Sequence, residues 1–196
     1  MGTFTDSKMK EHHDKNFKII WNALTSKEVP SGSRKLGNQT QRNSFSRVYL
    51  LYRVLHREWH MPEQKVGGIN CTVENYRQAI VQALYAQPYH NLPDLPILYT
   101  GFKSKKAEEG EKNGRKPTKE HVYPRTPTLK IDLLDPNTPL SFEEFIYHFA
   151  SKGGLWSKTT STENRLSLPK YHGENPKAIE NEHWREIYKK CGIEEA

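Results

Sequence analysis

Cysteine, long apolar runs and acidic charge are all in short supply in this chain. Only Cys71 and Cys191 occur among 196 residues. They form no Cys-x-x-Cys pair, which speaks against a zinc ribbon, a thioredoxin-like site or any structural zinc. Two isolated thiols suit a reducing compartment, with a single disulfide left open. No stretch approaches the roughly 18 consecutive apolar residues of a membrane span. Met1–Lys10 holds no apolar core of a secretory signal. These absences lead us to expect a cytoplasmic protein with no membrane partner. Asp and Glu number 23 against 30 Lys and Arg, a net charge of +7. A surplus of that size favours a polyanionic partner, nucleic acid being the simplest. No internal repeat is visible.

Hydrophobic residues reach only 34%, but 11% of the chain is aromatic. The aromatics supply enough packing mass to exclude a disordered chain. The length suits one domain or two small, tightly joined ones.

Local patterns place the elements. Phe17–Leu24 is amphipathic and reads as helix. Pro30–Asn43 is rich in Ser, Gly, Asn and Gln and reads as a loop, where Arg34, Lys35 and Arg42 could touch phosphate. Phe45, Val48, Tyr49, Tyr52, Leu55 and Trp59 recur at helical spacing and predict a helix over 44–60. Arg47, Arg53 and Arg57 fall largely off that stripe. Thr72 is placed to cap a helix running to Gln87. Ile97–Tyr99 could be a short strand. Residues 101–118 alternate Lys and Arg with Glu, Gly and Asn and read as a basic linker or a flap over phosphate. Val122 and Tyr123 suggest a strand ended by Pro124. Ser141-x-x-Glu144 and Thr160-x-x-Glu163 are two capping boxes. They predict helices from Ser141 and from about Ser161, with a strand over 155–160 between them. A last helix is expected over 176–190, with Gly192 as its C-terminal cap.

The chemistry lies in two segments, Lys119-Glu-His-Val-Tyr-Pro-Arg125 and Thr159-Thr-Ser-Thr-Glu-Asn-Arg165, followed by His183-Trp-Arg-Glu-Ile-Tyr188. Each is weak by itself; a lone histidine on a strand is usually structural. In this order they resemble the HNH family of ββα-metal nucleases. Members of that family carry an acid and a histidine at the end of one strand, often with proline three residues past the histidine. A second strand and a helix bearing asparagine follow. The likeness extends to phage HNH nucleases of restriction or homing type and to the HNH domain of RNA-guided effectors. It covers about 115–190 and leaves the N-terminal half unmatched.

The resemblance implies an α+β protein: a helical N-terminal region (1–100) for DNA recognition, the basic linker (101–118), and a ββα-metal core with an inserted helix and a C-terminal helix (119–196). It implies His121 as general base, with Glu120 and Asn164 as ligands of one divalent ion, Mg²⁺ or Mn²⁺. Arg125, Arg165, Lys119, Arg115 and Lys116 are expected at DNA phosphates. The partner would be double-stranded DNA in a bacterial cell or phage-infected host, bound by a monomer or by a homodimer on a palindrome. The chemistry is coherent. Water attacking phosphorus needs a base that titrates near neutrality, and histidine is one. A hard cation wants oxygen ligands such as a carboxylate and an amide.

Some features depart from the family pattern. The acid is commonly Asp, and Glu120 is one methylene longer. About forty residues separate His121 from Asn164, so the helix from Ser141 would be an insertion. His172 and His183 are alternative base or metal residues. Two other readings stay open: a non-catalytic nucleic-acid-binding protein on a degenerate scaffold, and a nonspecific nuclease.

Overall fold

Short polar caps and aromatic stripes set most of the helix boundaries. The computed structural model describes residues 6–32, 35–60, 72–85, 92–93, 95–175, 178 and 183–196. In chain order the elements are α1 (Asp6–Thr25), α2 (Gln39–Trp59), α3 (Val73–Leu84), β1 (Tyr99–Lys103), α4 (Lys105–Lys112), β2 (Thr118–His121), α5 (Arg125–Thr128), α6 (Phe142–His148), β3 (Trp156–Thr159), α7 (Leu168–Glu174) and α8 (Trp184–Lys190). Helices dominate, and one mixed three-stranded sheet makes the class α+β. No described helix is long and apolar enough to cross a membrane.

The chain divides into two compact units, Met1–Pro93 with Arg125–Ser151, and Asp94–Pro124 with Lys152–Ala196. The first is helical. The expected stripe of α2 is buried at Phe45, Val48, Tyr52 and Trp59. Phe145 stacks on Tyr52 at 5.8 Å, and Phe149 meets Phe45 edge-on at 5.0 Å. The helix from Ser141 therefore belongs to the core of the helical unit. The Tyr52 hydroxyl accepts a bond from the Leu140 amide at 2.7 Å, and Ser141 and Glu144 form the expected reciprocal cap. Thr72 caps α3 as expected.

The stretch read as a loop over 30–43 is shorter, because α2 begins at Gln39 under an Asn38 cap. Arg42 then lies inside the helix and is no phosphate ligand. Its guanidinium donates to the carbonyls of Ser26 at 2.7 Å, Ala23 at 2.9 Å, Glu28 at 2.9 Å and Gly37 at 2.6 Å. It satisfies carbonyls that the C-terminus of α1 leaves open. Gly37 completes the corner at φ 79°, where a Cβ would lie 2.2 Å from the Ala23 oxygen. Arg34 lies outside the described residues. Hydrogen bonds to a charged donor are among the stronger ones, so Arg42→Ala is expected to cost about 2 kcal/mol or more. Lysine cannot present the same planar fork. Urea unfolding checks this, and a lysine variant as stable as the wild type would refute it.

The second unit holds the sheet, in order β1–β3–β2. β2 runs antiparallel to β3, and β1 parallel to it. Residues 101–118 are not a linker. They supply most of β1 and all of α4, which Ser104 caps by accepting from the Ala107 amide. Lys103, Lys105 and Lys112 pair with Glu111, Glu194 and Glu108. A composition that reads as solvated linker is here an ion-paired helix.

The strand expected at Val122–Tyr123 lies a few residues earlier, at Thr118–His121. The last helix does not run unbroken from 176. His183 is extended (ψ 139°) and caps α8 by accepting from the Arg185 amide. Residues 176, 177 and 179–182 lie outside the described residues. Gly192 has the expected positive φ, 70°.

Candidate functional site

Register decides which residues of β2 can act together. Glu120 pairs with Ser157 of β3, and His121 pairs with Trp156. Side chains alternate along a strand, so Thr118 and Glu120 share one face and Lys119 and His121 the other.

The Glu120 face is covered by α8. Ser157 and Tyr188 share a hydrogen bond at 2.8 Å, and Phe102 of β1 meets the Tyr188 ring edge-on at 5.0 Å. Glu120 is half-buried beside them, and among the described residues no ion pair or hydrogen bond engages its carboxyl. Burial alone pushes it up to about 8. Burial also drives the Tyr188 hydroxyl upward; the Ser157 bond opposes this, and the charge of Glu120 adds to it.

Helix follows β3 directly. Thr160 and Glu163 form the expected reciprocal pair: the Thr160 amide donates to the Glu163 carboxylate at 2.8 Å, and the Glu163 amide to the Thr160 hydroxyl at 3.2 Å. The same carboxylate oxygen accepts from the buried Ser104 hydroxyl at 2.8 Å. Glu163 thereby ties the cap of α4 to the end of β3. The turn Glu163–Ser167 is wound as π-helix before α7. Pro169 has no N–H to return to the Arg165 carbonyl, which loosens this turn. Asn164 sits in it, and its amide nitrogen donates to the Lys119 carbonyl at 3.5 Å. Its side chain is thus laid against the peptide that leads into Glu120.

On the other face, the Lys119 ammonium stands 4.8 Å above the Trp156 ring. Tyr99 packs against that indole at 4.6 Å. His121 shares this face and is part-buried, its Nε2 shielded from solvent. Arg115 and Lys116 are exposed in the loop between α4 and β2, and Arg165 is exposed on the helical turn. The Arg125 side chain lies outside the described residues. His172 lies on α7, edge-on to Tyr171, and His183 serves as the α8 cap. Among the described residues no group of three or more His, Cys, Asp or Glu is gathered to hold a metal ion.

Asn164 is therefore laid against the backbone beside Glu120, whereas His121 stands on the opposite face of the strand. Ser157, Tyr188 and the Glu163–Ser104 tie were not singled out as site residues from sequence. Alternation puts the Glu120 carboxyl on the face opposite Lys119, but its neighbours from α8 are distant in sequence. Searched against protein-family models, curated proteins and solved structures, the chain matches none.

Proposed function

We propose that the protein is a metal-dependent DNA endonuclease of HNH type, of the restriction or homing class, built on a ββα-metal core. The supporting observation is the arrangement at the end of β2. A part-buried carboxyl with no ion pair among the described residues and a histidine on the opposite face of the strand are adjacent in sequence, and an asparagine from the next helix lies against the peptide that precedes the carboxyl. In this reading His121 takes the proton of the attacking water. Glu120 and the Asn164 amide oxygen would hold one divalent cation. When bound, the cation supplies charge for the phosphate and its leaving oxygen.

The residues fit a hard cation. A carboxyl that burial keeps neutral is relieved by a positive ion, and both donors are oxygens. Lys119, Arg115, Lys116, Arg125 and Arg165 would meet phosphates of double-stranded DNA, whether the chain acts as a monomer or as a homodimer.

A second reading, a nucleic-acid-binding protein without catalysis, draws on the same carboxyl. With no cation, Glu120 near 8 is a neutral buried acid and the site is inert. Incubating the protein with plasmid and phage DNA separates the two. The nuclease reading expects cleavage with Mg²⁺ or Mn²⁺ and none with EDTA, and discrete bands would mark a specific enzyme. Intact DNA in every metal retires it.

A further inference from the structure

Helix α2 carries Arg42, Arg47, Arg53 and Arg57 against one acid, Glu58. With Arg42 occupied at the α1 corner, the other three arginines are exposed. Leu50 and Val54 are exposed among them, at 64% and 51%. Towards the C-terminal end, Arg53 and Arg57, and likewise His56 and His60, stand four residues apart and so share a side of the helix. Together with Asn137 they line an open cavity of about 630 Å³ whose described lining holds no acidic residue. Glu58 is turned away to accept from the Tyr76 hydroxyl at 2.8 Å, and it reaches Arg57 only at 3.7 Å.

The walls of this cavity are built. His56 Nε2 lies 2.8 Å from the Pro136 carbonyl, and His60 Nε2 lies 2.9 Å from that of Leu134. A carbonyl only accepts, so both nitrogens carry protons there. The two rings are 4.6 Å apart. Arg53 is steadied by its bond to the Tyr49 hydroxyl at 3.1 Å.

We propose that this face of α2 binds the sugar–phosphate backbone of duplex DNA, with a phosphate seated between Arg53 and Arg57. Two forked guanidiniums match phosphate oxygens in a way that point charges do not. Leu50 and Val54 supply apolar contact to sugars beside them, a mixture that a purely solvated helix face does not need. The inference rests on the nucleic-acid part of the function proposed above and is independent of its chemistry.

The test reads anisotropy of a labelled duplex in EDTA, across a salt series, so that binding is measured without cutting. The double variant Arg53→Gln/Arg57→Gln is expected to bind at least about tenfold more weakly at low salt. It should also lower the slope of log K against log salt by about 1 to 2, whatever the sequence of the duplex. Lys15→Gln/Lys18→Gln removes the same charge from exposed positions on α1 and should change affinity less than about twofold. Equal losses in both variants, no loss in the first, or displacement of DNA by poly-glutamate as readily as by unlabelled duplex would each overturn the proposal. A protein that binds through α2 and never cuts retires the nuclease reading and keeps this one. A protein that cuts while the arginine variant binds like wild type retires this one alone.

Discussion

His121→Ala should cut duplex DNA about a thousandfold more slowly than the wild type at saturating Mg²⁺, with its fold and its metal requirement unchanged. A positioned general base contributes on the order of 10² to 10⁴ in rate. His121 is the last residue of β2 and is part-buried on the face opposite Glu120. Truncating it removes no ligand of the proposed cation. The loss should therefore fall on the rate of a single turnover and leave the Mg²⁺ concentration for half-maximal rate where it was. Asn164→Ala is the contrast, because a lost oxygen donor should raise that concentration. Plasmid linearisation under single-turnover conditions measures both quantities. Undiminished cutting by His121→Ala would remove the base from this position, and His172 would be examined next.

The parts of this site that local chemistry specifies were legible in the chain. Thr160 and Glu163 announce a helix start because a hydroxyl and a carboxylate three residues apart satisfy each other's backbone amides. That pair fixes where β3 ends and puts Asn164 in the first turns. Alternation sets Glu120 and His121 on opposite faces, but not which of the two faces the core. What the chain does not announce is the choice of distant partner. The helix from Ser141 reads as an insertion in the core that carries His121, yet the 125–151 segment that holds it belongs to the helical unit. Its Phe145 and Phe149 find Tyr52 and Phe45 some ninety to a hundred positions away, and periodicity reports an apolar face without saying what it meets.

Residues 105–112 misled for a related reason. Their Lys, Glu and Gly composition is that of a linker, and only the Ser104 cap and the ion pairs to Glu194, Glu108 and Glu111 make them a helix. β2 itself is Thr-Lys-Glu-His, with no apolar residue to mark it, so its place was taken by the more strand-like Val122 and Tyr123. The surface of α2 could have been suspected from its basic residues at four-residue spacing. Arg42 could not be told apart from them, because its carbonyl partners come from the end of α1 and the connection that follows it.

Glu120 also predicts a pH dependence of stability whose sign is fixed. Its carboxyl titrates near 8 in the folded protein against an ordinary value of 4.5, so the folded state holds a proton that the unfolded chain has released. The stability linked to this group is fully present below about 4.5. It is lost as pH rises through about 8, and a shift of this size amounts to a few kcal/mol. His12 and His56 are held below the ordinary imidazole value, chiefly by burial, and act in the opposite sense: their contribution is lost as pH falls. They are common to both proteins if the wild type is compared with Glu120→Gln, so the difference between the two melting curves isolates the carboxyl. In EDTA, the variant should gain on the wild type steadily from pH 5 to pH 8. Mg²⁺ favours the charged carboxylate, so it should raise the wild-type melting temperature at pH 8, have little effect at pH 5, and leave Glu120→Gln unmoved at either. Melting curves of the two proteins that run parallel across this range would remove Glu120 as a buried proton carrier. A Mg²⁺ response that persists in the variant would place the cation elsewhere.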